Sequence, residues 1–189
     1  MATQTDVRAI PIPRVYGLPS RVARRINLHL VRMVTGLLRQ QGYGRPQVSI
    51  WPEEEITLNE QAVFSLWYDV YAYPNRAAHG LTVRRSATYS LLTGRPYSLA
   101  SLFSRGSNYI ERLSDIIRQQ IVTRQIPLIA DFKQVSPNEG FFMTRDELVI
   151  YFQIYQYTPY AIGIPEFHIP YGEIADILAP DGPAYRFLG

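Results

Sequence analysis

The chain has 189 residues, 47% hydrophobic and 19% charged, which is the composition of one ordinary globular domain and excludes a disordered or fibrous protein. It contains no cysteine, so disulfides and thiol catalysis are excluded as well. Its formal net charge of +3 is too small to indicate a nucleic-acid partner by itself.

Residues 1–19 are predicted to form an extended lead-in, because three prolines fall within residues 9–19. No apolar run of signal-peptide length occurs in this segment. Further along, residues 148–165 are uncharged, but two glutamines and two prolines inside the run argue against a membrane span. The sequence therefore predicts neither a signal peptide nor a transmembrane segment, and it leaves the compartment open.

A helix is predicted from Arg21 to Gln41, with Ser20 as its N-cap and Gly42 as its stop. Its apolar stripe consists of Val22, Ile26, Leu30, Met33 and Leu37. Its opposite face carries Arg21, Arg25, Arg32 and Arg39. This basic face is either an anion-binding surface, for phosphate, acidic polysaccharide or an acidic protein, or the solvated face of a helix packed on a sheet. The lack of interleaved aromatic residues disfavours nucleic acid.

Two-residue periodicity predicts a strand over residues 48–51, which Pro52 interrupts before the acidic residues 53–55 at an edge or bulge. A second strand is predicted over residues 63–73. One of its faces carries Phe64, Leu66, Tyr68 and Val70, and the other carries Trp67, Asp69, Tyr71 and Tyr73. Because both faces are bulky, this strand is either covered on both sides or presents one face to a ligand.

A third strand over residues 81–91 is predicted to pair with the second as an antiparallel hairpin. Asp69 needs a cationic partner if its face of the sheet is covered. Arg84 and Arg85 on the neighbouring strand are the candidates for that partner.

The second half of the chain predicts a helix capped near Asn108, a strand over residues 147–157 and a short helix over residues 171–178. This order of elements indicates an α+β fold: one domain with an antiparallel sheet, two longer helices and a short C-terminal helix. We expect the domain to span residues 20–180 and to be followed by a C-terminal tail, residues 181–189.

Residues 155–171 alternate tyrosine and proline with apolar residues, which indicates a rigid aromatic edge. Together with the second strand and its loop, this segment provides the candidate ligand-binding residues. These candidates are Trp67, Tyr71, Tyr73, His79, Tyr155, Tyr157, Pro159 and Tyr160. If exposed, they would bind a protein or a cell-wall glycan; if covered by the helices, they would form a second hydrophobic layer.

No Gly-x-Ser-x-Gly elbow or phosphate-binding loop occurs, and we predict no catalytic residue, metal site or cofactor. Glu166 and His168 share a strand face, which suits a base with its orienter or half of a metal site. An exposed edge pair is the simpler interpretation, because the sequence shows no third ligand. With His79, whose commoner role is in turn geometry, the pair defines the alternative of an enzyme acting on cell-wall material.

Several segments carry a resemblance to a known family: Tyr71-Ala-Tyr-Pro74, Ala78-His-Gly80, Tyr89-Ser-Leu-Leu-Thr-Gly-Arg95, Leu99-Ala-Ser-Leu-Phe103 and residues 152–171. They resemble the domain of unknown function found as the ectodomain of RsiV-type anti-sigma factors. They also resemble the noncatalytic portion of a Bacillus peptidoglycan deacetylase. The resemblance covers residues 63–178 and is most specific in its last segment.

The resemblance implies a recognition or sensory domain of α+β fold, of the cell envelope of Gram-positive bacteria and mostly extracytoplasmic, with a protein or peptidoglycan-type ligand. One family member is a lysozyme receptor. We do not expect that ligand to carry over, because this sequence lacks that member's sigma-binding segment and membrane span. Ser90 and Ser101 stand where the family pattern has acidic residues. The leading hypothesis is a nonenzymatic domain that binds its ligand through an aromatic surface.

Overall fold

The computed structural model describes residues 10–188. Its helices and strands are α1 (Ser20–Gln40), β1 (Val48–Glu60), β2 (Val63–Pro74), β3 (Leu81–Ser90), α2 (Tyr109–Thr123), β4 (Gly140–Met143), β5 (Glu147–Tyr151) and β6 (Glu166–Pro170). Short 3-10 helices occur at Leu99–Leu102, Tyr160–Ile162, Tyr171–Ile177 and Ala184–Phe187. The order of elements confirms the predicted α+β class. Residues 1–9 of the predicted lead-in and Gly189 of the predicted tail lie outside the described residues.

The strands form two antiparallel three-stranded sheets, one ordered β1-β2-β3 and the other β4-β5-β6. Antiparallel pairing is as predicted, but periodicity does not report which strands share a sheet. α1 packs on one face of the first sheet, and the second sheet packs against the opposite face. α2 packs on the far side of the second sheet. The layers are therefore helix, sheet, sheet and helix.

The apolar stripe of α1 determines how this helix packs. Ile26 and Leu30 of the stripe are fully buried, and so is Val34 beside it. They contact the residues of β2 that point toward the helix, which are Phe64, Leu66, Tyr68 and Val70. The predicted N-cap is wrong, since Ser20 is the first helical residue, Pro19 takes the cap position and no side chain caps the helix.

β1 is longer than predicted, with 13 residues that run through Pro52. A proline is tolerated there because β1 lies at the edge of its sheet, where a missing N–H that faces outward costs no ladder hydrogen bond. Gln61 and Ala62 form the turn into β2 with φ angles of 46° and 61°. Positive φ at both positions matches the twist of a tight hairpin.

α2 packs on the second sheet through Leu113, Ile117 and Ile121. Asn108 stands at the predicted N-cap position, but its side chain makes no capping hydrogen bond. The predicted C-terminal helix is a 3-10 helix, Tyr171–Ile177. Within residues 10–188, no helix has the length and apolar character needed to cross a membrane.

β5 ends at Tyr151, whereas the sequence pattern predicts a strand that continues to residue 157. The chain turns here, because the Gln156 amide donates to the Gln153 carbonyl and Tyr155 has a φ of 69°. Side-chain alternation continues beyond the strand and therefore overestimates its length. Tyr155 and Tyr157 belong to the connection between β5 and β6 rather than to a sheet face.

Candidate functional site

Arg84 on β3 links the two sheets and is 7% exposed. Its guanidinium donates to both carboxylate oxygens of Asp69, each at 2.8 Å, and also to Glu166 on β6. The contact with Asp69 is the cross-strand ion pair predicted from the sequence. Burial by itself would lower the pKa of Arg84, but the hydrogen bonds and charges of Asp69 and Glu166 outweigh burial and raise it.

Aromatic rings enclose the Arg84 guanidinium, whose central carbon lies 4.3 Å from the centre of the Trp67 ring and 5.5 Å from that of Tyr151. These distances are those of cation–π contacts. Trp67 is 9% exposed, because Phe142, Val149 and Tyr151 of the second sheet cover it. Trp67 was a predicted ligand-binding residue, but the structure places it in the packing between the sheets.

Glu166 and His168 share a face of β6, as predicted, and Glu147 on β5 joins them as a third partner. His168 Nδ1 lies 2.7 Å from Glu147 Oε2, and His168 Nε2 lies 3.6 Å from Glu166 Oε2. Because Glu166 also accepts from Arg84, these side chains form a continuous chain of polar contacts between the sheets. His79 is not part of this cluster and lies among the aromatic residues described below.

The Glu147, Glu166 and His168 cluster lies at the surface, with side chains 31% to 49% exposed. Within residues 10–188, no group of three or more acidic, histidine or cysteine side chains could hold a metal ion. The cluster also lines neither of two cavities in the structure, of about 460 and 520 Å³. Its arrangement is that of a polar network, and the ion pair of Glu166 with Arg84 joins β6 to β3.

A row of aromatic side chains starts on the face of the first sheet that points away from α1 and continues onto the connection after β5. We call it the aromatic ridge, and it comprises Trp51, Tyr71, His79, Tyr155 and Tyr160. The ring centroids of Trp51 and Tyr71 are 5.6 Å apart. The His79 ring lies 4.2 Å from that of Tyr160, which lies 5.9 Å from that of Tyr155. The Gly80 amide joins the two groups, since it follows His79 and donates to the Tyr71 hydroxyl at 3.1 Å.

Tyr155 adopts a backbone conformation that bulky side chains rarely take, with a φ of 69°. Such a conformation costs about 1–3 kcal/mol and persists only where the surroundings impose it. Core packing does not explain it, because Tyr155 is 48% exposed. Its effect is to place the Tyr155 ring beside Tyr160 at the surface.

Trp51 is a member of the aromatic ridge that the sequence analysis missed. The register of β1 and β2 places it opposite Tyr71, and it is 47% exposed. Side-chain alternation along β1 places Trp51 on the face opposite Ile50, and this alternation can be seen in the sequence. The pairing with Tyr71 additionally requires the register of the two strands, and the sequence does not specify that register.

The remaining predicted ligand residues support the aromatic ridge or pack against the core. The Tyr73 hydroxyl donates to the Ala77 carbonyl across the hairpin loop at 3.0 Å. Pro159 immediately precedes the short 3-10 helix that carries Tyr160. Tyr157 packs edge-on against Phe132 and Phe152 in the main core. Tyr157 is therefore partly buried against the core.

The smaller cavity is a groove between β3 and β4. Its lining is formed by residues 85–88, Tyr97, residues 138–141, Tyr151 and Gln153. The Gln153 side-chain amide accepts from the Arg84 N–H at 3.1 Å and donates to the Arg84 carbonyl at 2.9 Å. These two hydrogen bonds satisfy the backbone of Arg84 as a neighbouring strand would, so the Gln153 side chain covers this part of the free edge of β3.

The predicted basic face of α1 is exposed, since Arg21, Arg25, Arg32 and Arg39 all lie at the surface. Arg25 donates to the Thr93 carbonyl at 2.8 Å. Within residues 10–188, none of these four arginines forms an ion pair. Their positions are as predicted.

Comparison with known proteins gives a match in the second half of the chain. Residues 100–172 match the family model described as "Protein of unknown function (DUF3298)". The chain is 33% identical over 93 residues to the anti-sigma-V factor RsiV of Bacillus subtilis (strain 168). That match covers 43% of this chain and 32% of the relative, so the similarity extends over about a third of that protein's length.

Two solved structures share the fold. A DUF3298 family member from Bacteroides fragilis superposes with a TM-score of 0.60 at 18% identity, over 88% of this chain and 68% of that one. A DUF3298 family protein from Pseudomonas aeruginosa PAO1 gives a TM-score of 0.60 at 17% identity, over 85% of this chain and 78% of that one. The resemblance found in the sequence is thereby confirmed: residues 100–172 carry the DUF3298 pattern, and the fold is that of solved DUF3298 proteins.

Proposed function

We propose that this chain is a non-enzymatic recognition or sensory domain that binds a protein or a cell-wall glycan through the aromatic ridge. Similarity to an anti-sigma factor supports a sensory role, because the name of that relative places it in the control of a sigma factor. The matched residues 100–172 include Tyr155 and Tyr160 of the aromatic ridge. The other three members of the ridge precede this range.

The observation that carries the proposal is the conformation of Tyr155. A left-handed backbone at a tyrosine is unfavourable, and here it places a half-exposed ring next to Tyr160 and His79. Strain of this kind concentrates at binding sites, where it orients a side chain before the ligand arrives. A preoriented ring loses less conformational entropy on binding than a mobile one.

The chemistry of the aromatic ridge suits both proposed ligand classes. Tyrosine and tryptophan offer a large apolar surface with a polar atom at its edge, and they dominate the energetics of protein interfaces. Gln153, which stands two residues before Tyr155 in the chain, lines the groove between β3 and β4, where Asn138 and Glu139 supply further polar groups.

The double variant Tyr155→Ala/Tyr160→Ala tests the proposal. Purified peptidoglycan and lysozyme serve as probes, in sedimentation and titration calorimetry respectively. We expect wild-type protein to bind one of these probes and the double variant to bind it at least about 30-fold more weakly, as for interface hot-spot residues. The matched control is Tyr185→Ala, which removes a tyrosine of similar exposure, 44%, outside the ridge.

Equal affinities of the wild type and the double variant for the retained probe would contradict a role for the aromatic ridge. Failure of the wild type to bind either probe would contradict peptidoglycan and lysozyme as its ligands. A loss of binding in Tyr185→Ala as well would indicate a general effect of removing surface tyrosines.

A further inference from the structure

The outer face of α1 carries positive charge that no carboxylate of residues 10–188 pairs with. Its exposed charged residues are Arg21, Arg24, Arg25, Arg32 and Arg39. No aspartate or glutamate occurs in residues 7–52, and within residues 10–188 none of these arginines forms an ion pair. By contrast, Arg112 and Arg118 on the outer face of α2 pair with Asp176 and Asp115. Among the described residues, the arginines on the outer face of α1 therefore lack the carboxylate partners that Arg112 and Arg118 have on α2.

This arrangement is unfavourable for the helix itself. Arg21 and Arg25 are four residues apart and Arg21 and Arg24 are three apart, so like charges are neighbours on the surface of α1. Like charges at these spacings destabilise a helix. A face that only had to be solvated would gain stability from mixed charges. An anionic partner would remove the repulsion that the helix otherwise carries.

Exposed apolar side chains lie on this face of α1 and in two segments that are hydrogen-bonded to the helix. Leu28 lies on the same face of α1 and is 46% exposed. Leu92, 68% exposed, belongs to the turn whose backbone accepts a hydrogen bond from Arg25. Tyr16 is 78% exposed. The residue before it, Val15, is held to α1 by two backbone hydrogen bonds with the Asn27 side chain. A soluble polyanion interacts favourably with the arginines only. The boundary between the headgroups and the acyl chains of a bilayer interacts favourably with the arginines and also with the apolar side chains.

We infer that the outer face of α1 docks on a bilayer that contains anionic phospholipid. α1, which has 21 residues, lies in the membrane plane with its arginines at the phosphates. Leu28, Leu92 and Tyr16 sit at the headgroup boundary. Tyr71 points away from α1 on the other face of the first sheet, so docking leaves the aromatic ridge accessible. The inference does not depend on the function proposed for the ridge.

Vesicle flotation of the full chain tests this surface. The vesicles contain phosphatidylcholine alone or phosphatidylcholine mixed with phosphatidylglycerol, at low and at physiological salt. We expect binding to the anionic vesicles only, and weaker binding at the higher salt because salt screens the phosphates. The variant Arg21→Glu/Arg25→Glu/Arg32→Glu should bind about 100-fold more weakly, since each basic residue near an anionic membrane contributes about fivefold.

The matched control is Arg105→Glu/Arg112→Glu/Arg118→Glu, which changes the net charge equally on the α2 side of the molecule. It should bind like the wild type. Circular dichroism and thermal unfolding check that each variant is folded. If the triple variant on α1 does not fold, Arg21→Gln/Arg32→Gln replaces it, because both side chains are exposed and removing two charges relieves repulsion.

A second variant, Leu28→Asn, separates a bilayer from a soluble polyanion. It should weaken vesicle binding and leave the retention of the protein on heparin unchanged, because heparin has no apolar layer. Three results would each overturn the inference: wild-type protein that does not bind anionic vesicles, equal losses in the α1 variant and the α2 control, or unchanged vesicle binding in Leu28→Asn.

Discussion

Arg84 is the residue on which the junction between the two sheets depends most. Its pair with Asp69 is almost fully buried, with side chains 8% and 11% exposed, and the Glu166 side chain at the other end is 31% exposed. The net contribution of a buried ion pair is small when both partners are compared with apolar replacements. Removing one partner is different, because the other charge then stays buried without compensation.

We expect Arg84→Met to lower the free energy of unfolding by about 3–5 kcal/mol, because Asp69 remains buried without its cation. The double variant Asp69→Leu/Arg84→Met should recover most of this loss, since no buried charge remains and Glu166 can be hydrated. Urea unfolding of both variants measures the difference. The explanation is wrong if the double variant is no more stable than the single one.

The sequence predicts part of this network, because Asp69 and Arg84 lie on neighbouring strands of a hairpin. It does not predict Glu166, which is 82 residues away from Arg84 and belongs to the other sheet. The sequence does not predict the contact of Glu147 with His168 either, because it does not show that β5 and β6 are neighbouring strands. Local periodicity gives the face of a residue but not the strand that lies next to it.

At the scale of the elements, the close approach of the Gly80 backbone to the Tyr71 ring determines how the start of β3 lies beside β2. A Cβ added at Gly80 would lie 2.4 Å from Tyr71 Cζ and 2.5 Å from the Ala72 carbonyl oxygen. The ring can rotate, but the carbonyl belongs to the strand. Gly80 therefore allows the start of β3 to pass beneath the Tyr71 ring, which belongs to the aromatic ridge.

The variant Gly80→Ala should lower the free energy of unfolding by about 1–3 kcal/mol, because overpacking forces the start of β3 to shift. It should also weaken binding of the ligand proposed for the aromatic ridge, since Tyr71 must move. Thermal unfolding and the peptidoglycan or lysozyme assay measure the two effects.

Gly36→Ala is the control for this prediction. A Cβ at Gly36 meets nothing within 4 Å, and alanine is favoured over glycine within a helix by up to about 1 kcal/mol. We therefore expect Gly36→Ala to be neutral or stabilising. If Gly80→Ala were tolerated equally well, the close approach at Tyr71 would not constrain the hairpin.

The whole molecule buries tyrosine hydroxyls in each of its packed layers. Tyr68 and Tyr89 lie between α1 and the first sheet, Tyr151 lies between the sheets, and Tyr171 lies in the core beneath α2. Burial raises the pKa of all four, that of Tyr151 to about 12. Their neutral forms are therefore part of the folded state.

Stability should fall as the pH rises from 10 toward 12. In this window tyrosines of the unfolded chain lose protons, with an ordinary pKa of 10.0, while the buried ones keep theirs. The folded state then binds more protons than the unfolded state, so the free energy of unfolding decreases with pH. Below pH 10 both states are protonated and these groups give no pH dependence.

Urea unfolding at a series of alkaline pH values measures this decline. Tyr151→Phe should make it shallower, because one ionisable hydroxyl is removed from the packed layers. Tyr185→Phe removes an exposed hydroxyl and should leave the slope unchanged. Equal slopes in Tyr151→Phe and the wild type would contradict the assignment of the decline to Tyr151.

The sequence by itself determined the α+β class, the amphipathic helix α1, the hairpin of β2 and β3, and the resemblance to the RsiV-type domain. These features depend on side-chain periodicity and on local motifs, and both are contained in short stretches of chain. Only the tertiary structure decided that the strands form two sheets, that Trp67 is buried between them, and that Trp51 extends the aromatic ridge. Each of these depends on which distant segment packs against a face, and a strand with two bulky faces is compatible with either burial or exposure until that segment is in place.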